Sequence, residues 1–328
     1  MLLRKSRPLL IAFALLFILS VLSVRAGAVS VPFHELWASL VTKDSAFSFI
    51  VREYRLPRIA VGILAGFGLA VAGVILQSII RNPLASPDVI GITKGAGFAA
   101  TLVIFVFPGA PGYALPAAAF AGALLSFFLL LLLSRRMTLT PASFALVGIA
   151  VGAIFQAGIQ YLLVKNPSDI NMALLWMSGS LWGRGWDEAL MLLPWIIVLL
   201  PIAWWNFAKL NVFQLGDEWS VALGLNIVRE RLWLLLLAVA LTAISVAAVG
   251  AIGFVGLIAP HTARLLVGGR HQWLIPLAAF IGADIMLLGD CLGRVLIIPR
   301  EVSVGIMTAI IGAPYFVYLL RRARVRNG

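Results

Sequence analysis

Residues 206–231 read NFAKLNVFQLGDEWSVALGLNIVRER, a polar interruption between two charge-free apolar runs at 189–205 and 232–249. Crossing a bilayer takes roughly 20 predominantly apolar residues, and each flanking run comes close to that, so the segment between them must lie in water at one membrane face. It has an internal rhythm. Leu215, Trp219, Ala222, Leu223 and Ile227 fall near helical spacing, with Asp217, Glu218, Arg229 and Glu230 on other faces. Gly216 and Gly224 punctuate it. The pattern predicts two short amphipathic helices with a glycine turn between them, resting on the membrane surface. Such an element either caps a helix bundle or passes force into it.

The rest of the chain is of one kind. Of its 328 residues 62% are hydrophobic and 12% charged, which defines an integral membrane protein. Spans are expected at roughly 9–24, 59–80, 92–107, 115–133, 143–164, 189–205, 232–249, 251–267, 274–292 and 302–320, about ten helices in one polytopic domain over 1–328. They must be helical, because an open sheet edge cannot be satisfied in lipid. The first apolar run exceeds a signal-peptide core of ~7–15 residues, so it reads as a retained helix preceded by Arg4, Lys5 and Arg7 on the cytoplasmic side. Alternating from there, sixteen of the 25 Lys and Arg residues fall inside and nine outside, in keeping with the positive-inside bias. Both termini and the 206–231 segment are then cytoplasmic. The net charge of +12 is spread over span ends rather than gathered on an aromatic-laced face, which argues against nucleic-acid binding.

Five outside cations depart from the bias: Arg52, Arg55, Arg58, Arg294 and Arg300 gather at the outer ends of three spans. They either snorkel to lipid and water or dock an acidic partner, for which guanidinium groups are well shaped. Asp290, one turn before Arg294, is placed to pair with it. Gly62, Gly66, Gly68 and Gly73, and later Gly250, Gly253 and Gly256, are small residues that let helices approach closely. Two proline-containing breaks, at 82–87 and 259–261, are expected to interrupt apolar segments. In the fifth span Gln156 and Gln160 share a face and either bond to a neighbouring helix or line a wet path. Asp284, a carboxylate within a span, is functional, neutral or bonded to a hydroxyl.

Several chemistries are absent. No G-x-x-x-x-G-K-[ST] loop occurs, so nucleotide hydrolysis by that route is excluded. His34, His261 and His271 are scattered, and the single Cys291 reads as a packing residue, so neither metal nor cofactor is expected. Intramembrane acids are few, which disfavours a proton-coupled carrier, and no cluster of acids, histidines or a nucleophile suggests a lipid-processing enzyme.

Assembled, these residues resemble the FecCD-like permeases of ATP-binding cassette importers for iron-siderophores and vitamin B12. The resemblance runs through RLPR at 55–58, Gln77, RNPLASPD at 81–88, LGDE at 215–218 through Leu223 and Gly224, GFVGLIAPH at 253–261, Gly305, and Gly312 with Ala313 and Pro314. RNPLASPD and the 174–184 stretch look most like the ferric-siderophore branch, with ferric citrate as the cargo singled out and vitamin B12 or haem as the alternative. The resemblance implies a type II importer permease: two such subunits around a central path, an ATPase subunit beneath each, and an extracytoplasmic solute-binding protein above. It implies that Gly216, Asp217, Glu218, Leu223 and Gly224 couple to the ATPase, and that Arg55, Arg58 and Arg294 dock the binding protein. The fifth and tenth spans would line the path, with Gln156 and Gln160 facing it. Asp284 departs from the family pattern, as do Pro141 and Ala142, where some relatives carry small hydroxyl residues at an inner gate.

Overall fold

A helix that is apolar on every side must be surrounded by lipid or by protein, and the segment Leu56–Ile80 is surrounded by protein, buried along nearly its whole length. The computed structural model describes residues 2–27, 29–41, 45–134, 141–167, 170–298 and 300–327, with side chains except at 2–4, 141–143 and 318–327. Arg135 and Arg136, counted as inside cations, lie outside the described residues, as do the side chains of Pro141 and Ala142.

The chain begins with α1 (Leu2–Arg25) and α2 (Phe33–Val41), and a π-helical turn at Ile50–Arg55 runs straight into α3 (Leu56–Ile80). There follow α4 (Ile92–Val106), α5 (Ala114–Ser134), α6 (Pro141–Lys165), α7 (Ile170–Met177) and α8 (Trp186–Trp205). Next are α9 (Phe207–Phe213), α10 (Asp217–Ala222), α11 (Ile227–Val249), α12 (Val255–Val267), α13 (His271–Val295) and α14 (Val304–Asn327). Among the described residues there is no strand. Seven helices are long and apolar enough to cross a membrane, and three shorter apolar ones, Ile92–Val106, Val255–Val267 and Val304–Val317, complete the expected ten.

α3 is the axis of the bundle because its small residues admit neighbouring backbones. A Cβ on Gly66 would lie 2.7 Å from the Cα of Ala283 in α13, and one on Gly73 would collide with the carbonyl oxygen of Gly256 in α12. Pro260 accounts for the second contact. Its missing N–H leaves the Gly256 oxygen without its usual helical donor, and the bare Gly73 backbone packs against it.

Three expectations need correction. The second proline segment, 259–261, is not a break: Pro260 sits inside α12. The real interruption lies upstream, at 250–254, so α12 starts at Val255 rather than at 251. Irregular backbone at membrane depth is tolerable only when its polar groups are satisfied by protein. Here Ser180 donates its N–H to Val249 O at the edge of the break (2.9 Å), Gly250 donates to Val246 O (2.8 Å), and Thr308 Oγ1 donates to Gly253 O (3.3 Å). Finally, the 206–231 segment does hold two short helices, α9 and α10, but Ile227 onward already belongs to α11, capped by Asn226 Oδ1 accepting from the Arg229 N–H (3.1 Å).

Candidate functional site

At the end of the bundle that the charge bias places inside the cell, α9 and α10 lie across the ends of α3, α11 and α13. Gly216 (φ +107°) and Gly224 (φ +84°) take backbone conformations closed to most L-residues and so bracket α10 as a discrete element. Apart from Ile227, which packs partly against the core, the apolar residues of the expected rhythm are not covered within this chain. Leu215 is 59% exposed, Trp219 65%, Val221 60% and Leu223 59%, and Glu218 is exposed beside them. α10 thus turns an uncovered apolar patch outward.

Its inner side is held by charge. Asp217 accepts from Arg231 Nη2 with both carboxylate oxygens, at 3.0 and 3.1 Å, and its Oδ1 lies 3.3 Å from Nη2 of Arg81. Arg231 belongs to the first turns of α11. Arg81 caps the C-terminus of α3 in a left-handed conformation (φ 52°), uncommon for a non-glycine residue. One carboxylate therefore ties α10 to two spans.

A second junction, formed by residues the motifs did not single out, fastens α9. Asn211 Oδ1 accepts from the His271 backbone N–H (2.9 Å) and lies 2.8 Å from His271 Nδ1, while Ser78 Oγ lies 2.6 Å from Nε2. Asn211 Nδ2 donates to Gln272 Oε1 (3.2 Å), which fixes the amide orientation and leaves Oδ1 as an acceptor only. His271 must then carry its proton on Nδ1, and its Nε2 faces the Ser78 hydroxyl, which also reaches Val74 O at 2.7 Å. Ser78→Ala removes that donor from a fully buried site and is expected to cost about 1–3 kcal/mol. Thermal unfolding of the purified protein in detergent reads this directly; an unchanged midpoint would show that the junction carries no stability.

At the opposite end, the three arginines expected to dock a partner are not free surface charges. Arg55 donates to Val24 O, Val29 O and Arg25 O, the last at 3.1 Å. Arg58 donates to Asp290 Oδ1 from Nε (2.9 Å) and Nη2 (2.7 Å), and Nη2 also meets Glu301 Oε2 at 2.8 Å. Arg294 donates to Ser23 O and Ala26 O at 3.0 and 2.8 Å. Its expected pairing with Asp290 is present at 2.9 Å, as an ion contact whose angle is poor for a hydrogen bond. Buried guanidinium groups need such partners, and the carbonyls at the end of α1 supply what two carboxylates cannot. The three side chains nevertheless wall a pocket of about 420 Å³, together with Tyr54, Trp182, Arg184 and Glu301.

The expected path residues sit on α6, where Gln160 is exposed and Gln156 is half-buried with its Oε1 lacking a hydrogen-bond partner among the described residues. Toward the inner end, a cavity of about 450 Å³ opens between α6 (Ala145, Ile149), the 82–90 turn, Phe254 and Leu257, and Phe316 of α14. Phe254 takes a left-handed φ of 66°, and among the described residues only it and Arg81 do so without being glycine. Both lie in the quoted motifs, and Phe254 packs its ring on Gly312. Asp284 is buried in α13, its Oδ1 without a hydrogen-bond partner among the described residues.

A multi-pass helical bundle with a bracketed helix at its inner face and an arginine-walled pocket at its outer face is a membrane permease of the importer type. The chain belongs to the FecCD transport family, whose profile matches residues 15–322. It is 51% identical over 321 residues to the Fe(3+)-citrate import system permease protein YfmE of Bacillus subtilis (strain 168), covering 97% of this chain and 96% of that one. Identity to the Fe(3+) dicitrate transport system permease protein FecD of Escherichia coli (strain K12) is 42%, over 93% and 95% of the two chains. The Iron(3+)-hydroxamate import system permease protein FhuG of Bacillus subtilis (strain 168) is 40% identical over 98% and 99%. Among solved structures, an inward-facing transporter of the metal-chelate ABC type superposes with a TM-score of 0.87 at 32% identity, over 97% of this chain and 99% of that one.

Proposed function

We propose that this chain is the membrane-spanning permease subunit of an ATP-binding cassette importer carrying an iron(III) chelate, ferric citrate first among them, across the cytoplasmic membrane. The observation that carries the reading is α10: its outer side is an uncovered apolar patch at a water face, and its inner side is ion-paired to α3 and α11. Such a patch calls for a soluble partner. An ATPase seated there, against Leu215, Trp219 and Leu223, supplies the energy for which this chain has no nucleotide loop. Its closure on ATP tilts α10, and Asp217 passes the movement to both spans. No covalent chemistry takes place in this chain.

A second permease subunit packs against the exposed faces of α6 and α14, enclosing the path that Gln156 and Gln160 help to line. On the outer side, a solute-binding protein offers carboxylates to the pocket walled by Arg55, Arg58 and Arg294, where four guanidinium groups face one lining acid, Glu301. Selectivity rests mainly with that protein, since a path alternating between two faces need only differ little in its affinity between states. The relatives named for ferric citrate and dicitrate support the cargo.

Proteoliposomes containing this chain, its ATPase, its partner permease and the binding protein test the reading. Radiolabelled iron supplied as citrate is expected to accumulate only with ATP. Accumulation of cobalamin or haemin in its place would overturn the cargo, and uptake of iron without ATP would overturn the coupling.

A further inference from the structure

A groove between α5 and α11 has no part in the scheme above. It holds about 550 Å³ at the inner end, and among the described residues none of α6 or α14 lines it. We propose that it is a binding site for an anionic phospholipid of the inner leaflet, the headgroup phosphate held by Arg229 and Lys209 and the acyl chains lying along α5 and α11.

The groove changes character with depth. Arg229, Trp233 and Leu236 fall on one face of α11, at i, i+4 and i+7, so the walls run about 10 Å along the helix axis from a cation to an alkyl side chain. Phe127 and Leu131 continue the apolar wall on α5, inside a segment apolar enough to span the membrane. A soluble partner cannot follow the groove to that depth, whereas an acyl chain can. Trp233, 43% exposed, lies one turn from the charged rim, where indoles anchor at the membrane–water interface.

The rim selects for negative charge. Glu230, its one carboxylate, is neutralised by Lys209 at 2.6 Å, and that ammonium keeps two further N–H donors. Arg229 has no ion-pair partner among the described residues, and its guanidinium is exposed at the mouth. One uncompensated cation above an apolar trough matches a phosphodiester on two acyl chains better than a zwitterionic headgroup, whose own ammonium would face Arg229.

Trp233 serves as the reporter. The purified full-length chain is reconstituted in phosphatidylcholine with brominated phosphatidylglycerol or brominated phosphatidylcholine as quencher, and subtracting the Trp233→Phe signal isolates its fluorescence. Quenching at Trp233 is expected to favour phosphatidylglycerol about five-fold, as one cation near the surface provides. Added salt should erode the preference, Arg229→Gln should abolish it and Arg229→Lys should keep it. Equal quenching by the two lipids in the wild-type chain would overturn the proposal, and so would a Trp233 that neither lipid reaches, which would mean that protein covers the groove. Displacement of the lipid by soluble glycerol phosphate would overturn it as well, since the site would then serve a free phosphoester.

Discussion

Asp290→Ala is expected to destabilise the protein by about 3–5 kcal/mol. The carboxylate is 1% exposed and lies between two guanidinium groups that are themselves nearly closed off, Arg58 at 12% and Arg294 at 4% side-chain exposure. Removing it leaves Arg58 with Glu301 alone and Arg294 with backbone carbonyls alone, so two cations lose a counter-charge in a setting that hydrates them poorly. Asp290→Asn retains the shape but not the charge and should fall between the variant and the wild type. Thermal unfolding in detergent measures both. Equal midpoints for wild type and Asp290→Ala would mean that the outer network does not hold α3 to α13.

Asp217→Ala is expected to lower ATP-driven uptake two- to thirty-fold, corresponding to about 0.5–2 kcal/mol of coupling, while the ATPase still binds. The separation follows from geometry. The residues that would touch the ATPase, Trp219 and Leu223 among them, point away from the bundle, and Asp217 points into it toward Arg231 and Arg81. Losing the carboxylate cuts the connection and leaves the docking patch in place. Trp219→Ala should do the reverse, weakening ATPase association. A double-mutant cycle between Asp217→Ala and Arg231→Ala should show strong non-additivity in uptake. Additive losses, or a loss of ATPase binding in Asp217→Ala equal to that in Trp219→Ala, would refute the relay.

Arg81, the weaker of the two partners, is also the residue that pays backbone strain, since its left-handed conformation is uncommon outside glycine. That conformation turns the chain out of α3 and into the 82–90 turn, which lines the inner cavity. The Arg81–Asp217 junction is thus contiguous with the cavity between α6 and α14.

The sequence alone determined the ten apolar helices, the absence of a nucleotide loop, the amphipathic segment at 206–231 and the family. Hydropathy and turn chemistry are local, so each span declares itself within its own window. Asp290 beside Arg294 was legible for the same reason, being one turn away on the same helix. What only the tertiary structure decided are the meetings of distant residues. Arg58 finds Asp290 across 232 positions, and Ser78 finds His271 across 193. The arginines that sequence spacing offered to a partner are committed first to their own chain, because a guanidinium withdrawn from water must be satisfied wherever acceptors happen to lie. Likewise the helix break fell at 250–254 and not at Pro260, since the missing proline N–H is tolerated where a bare glycine backbone packs against the freed oxygen.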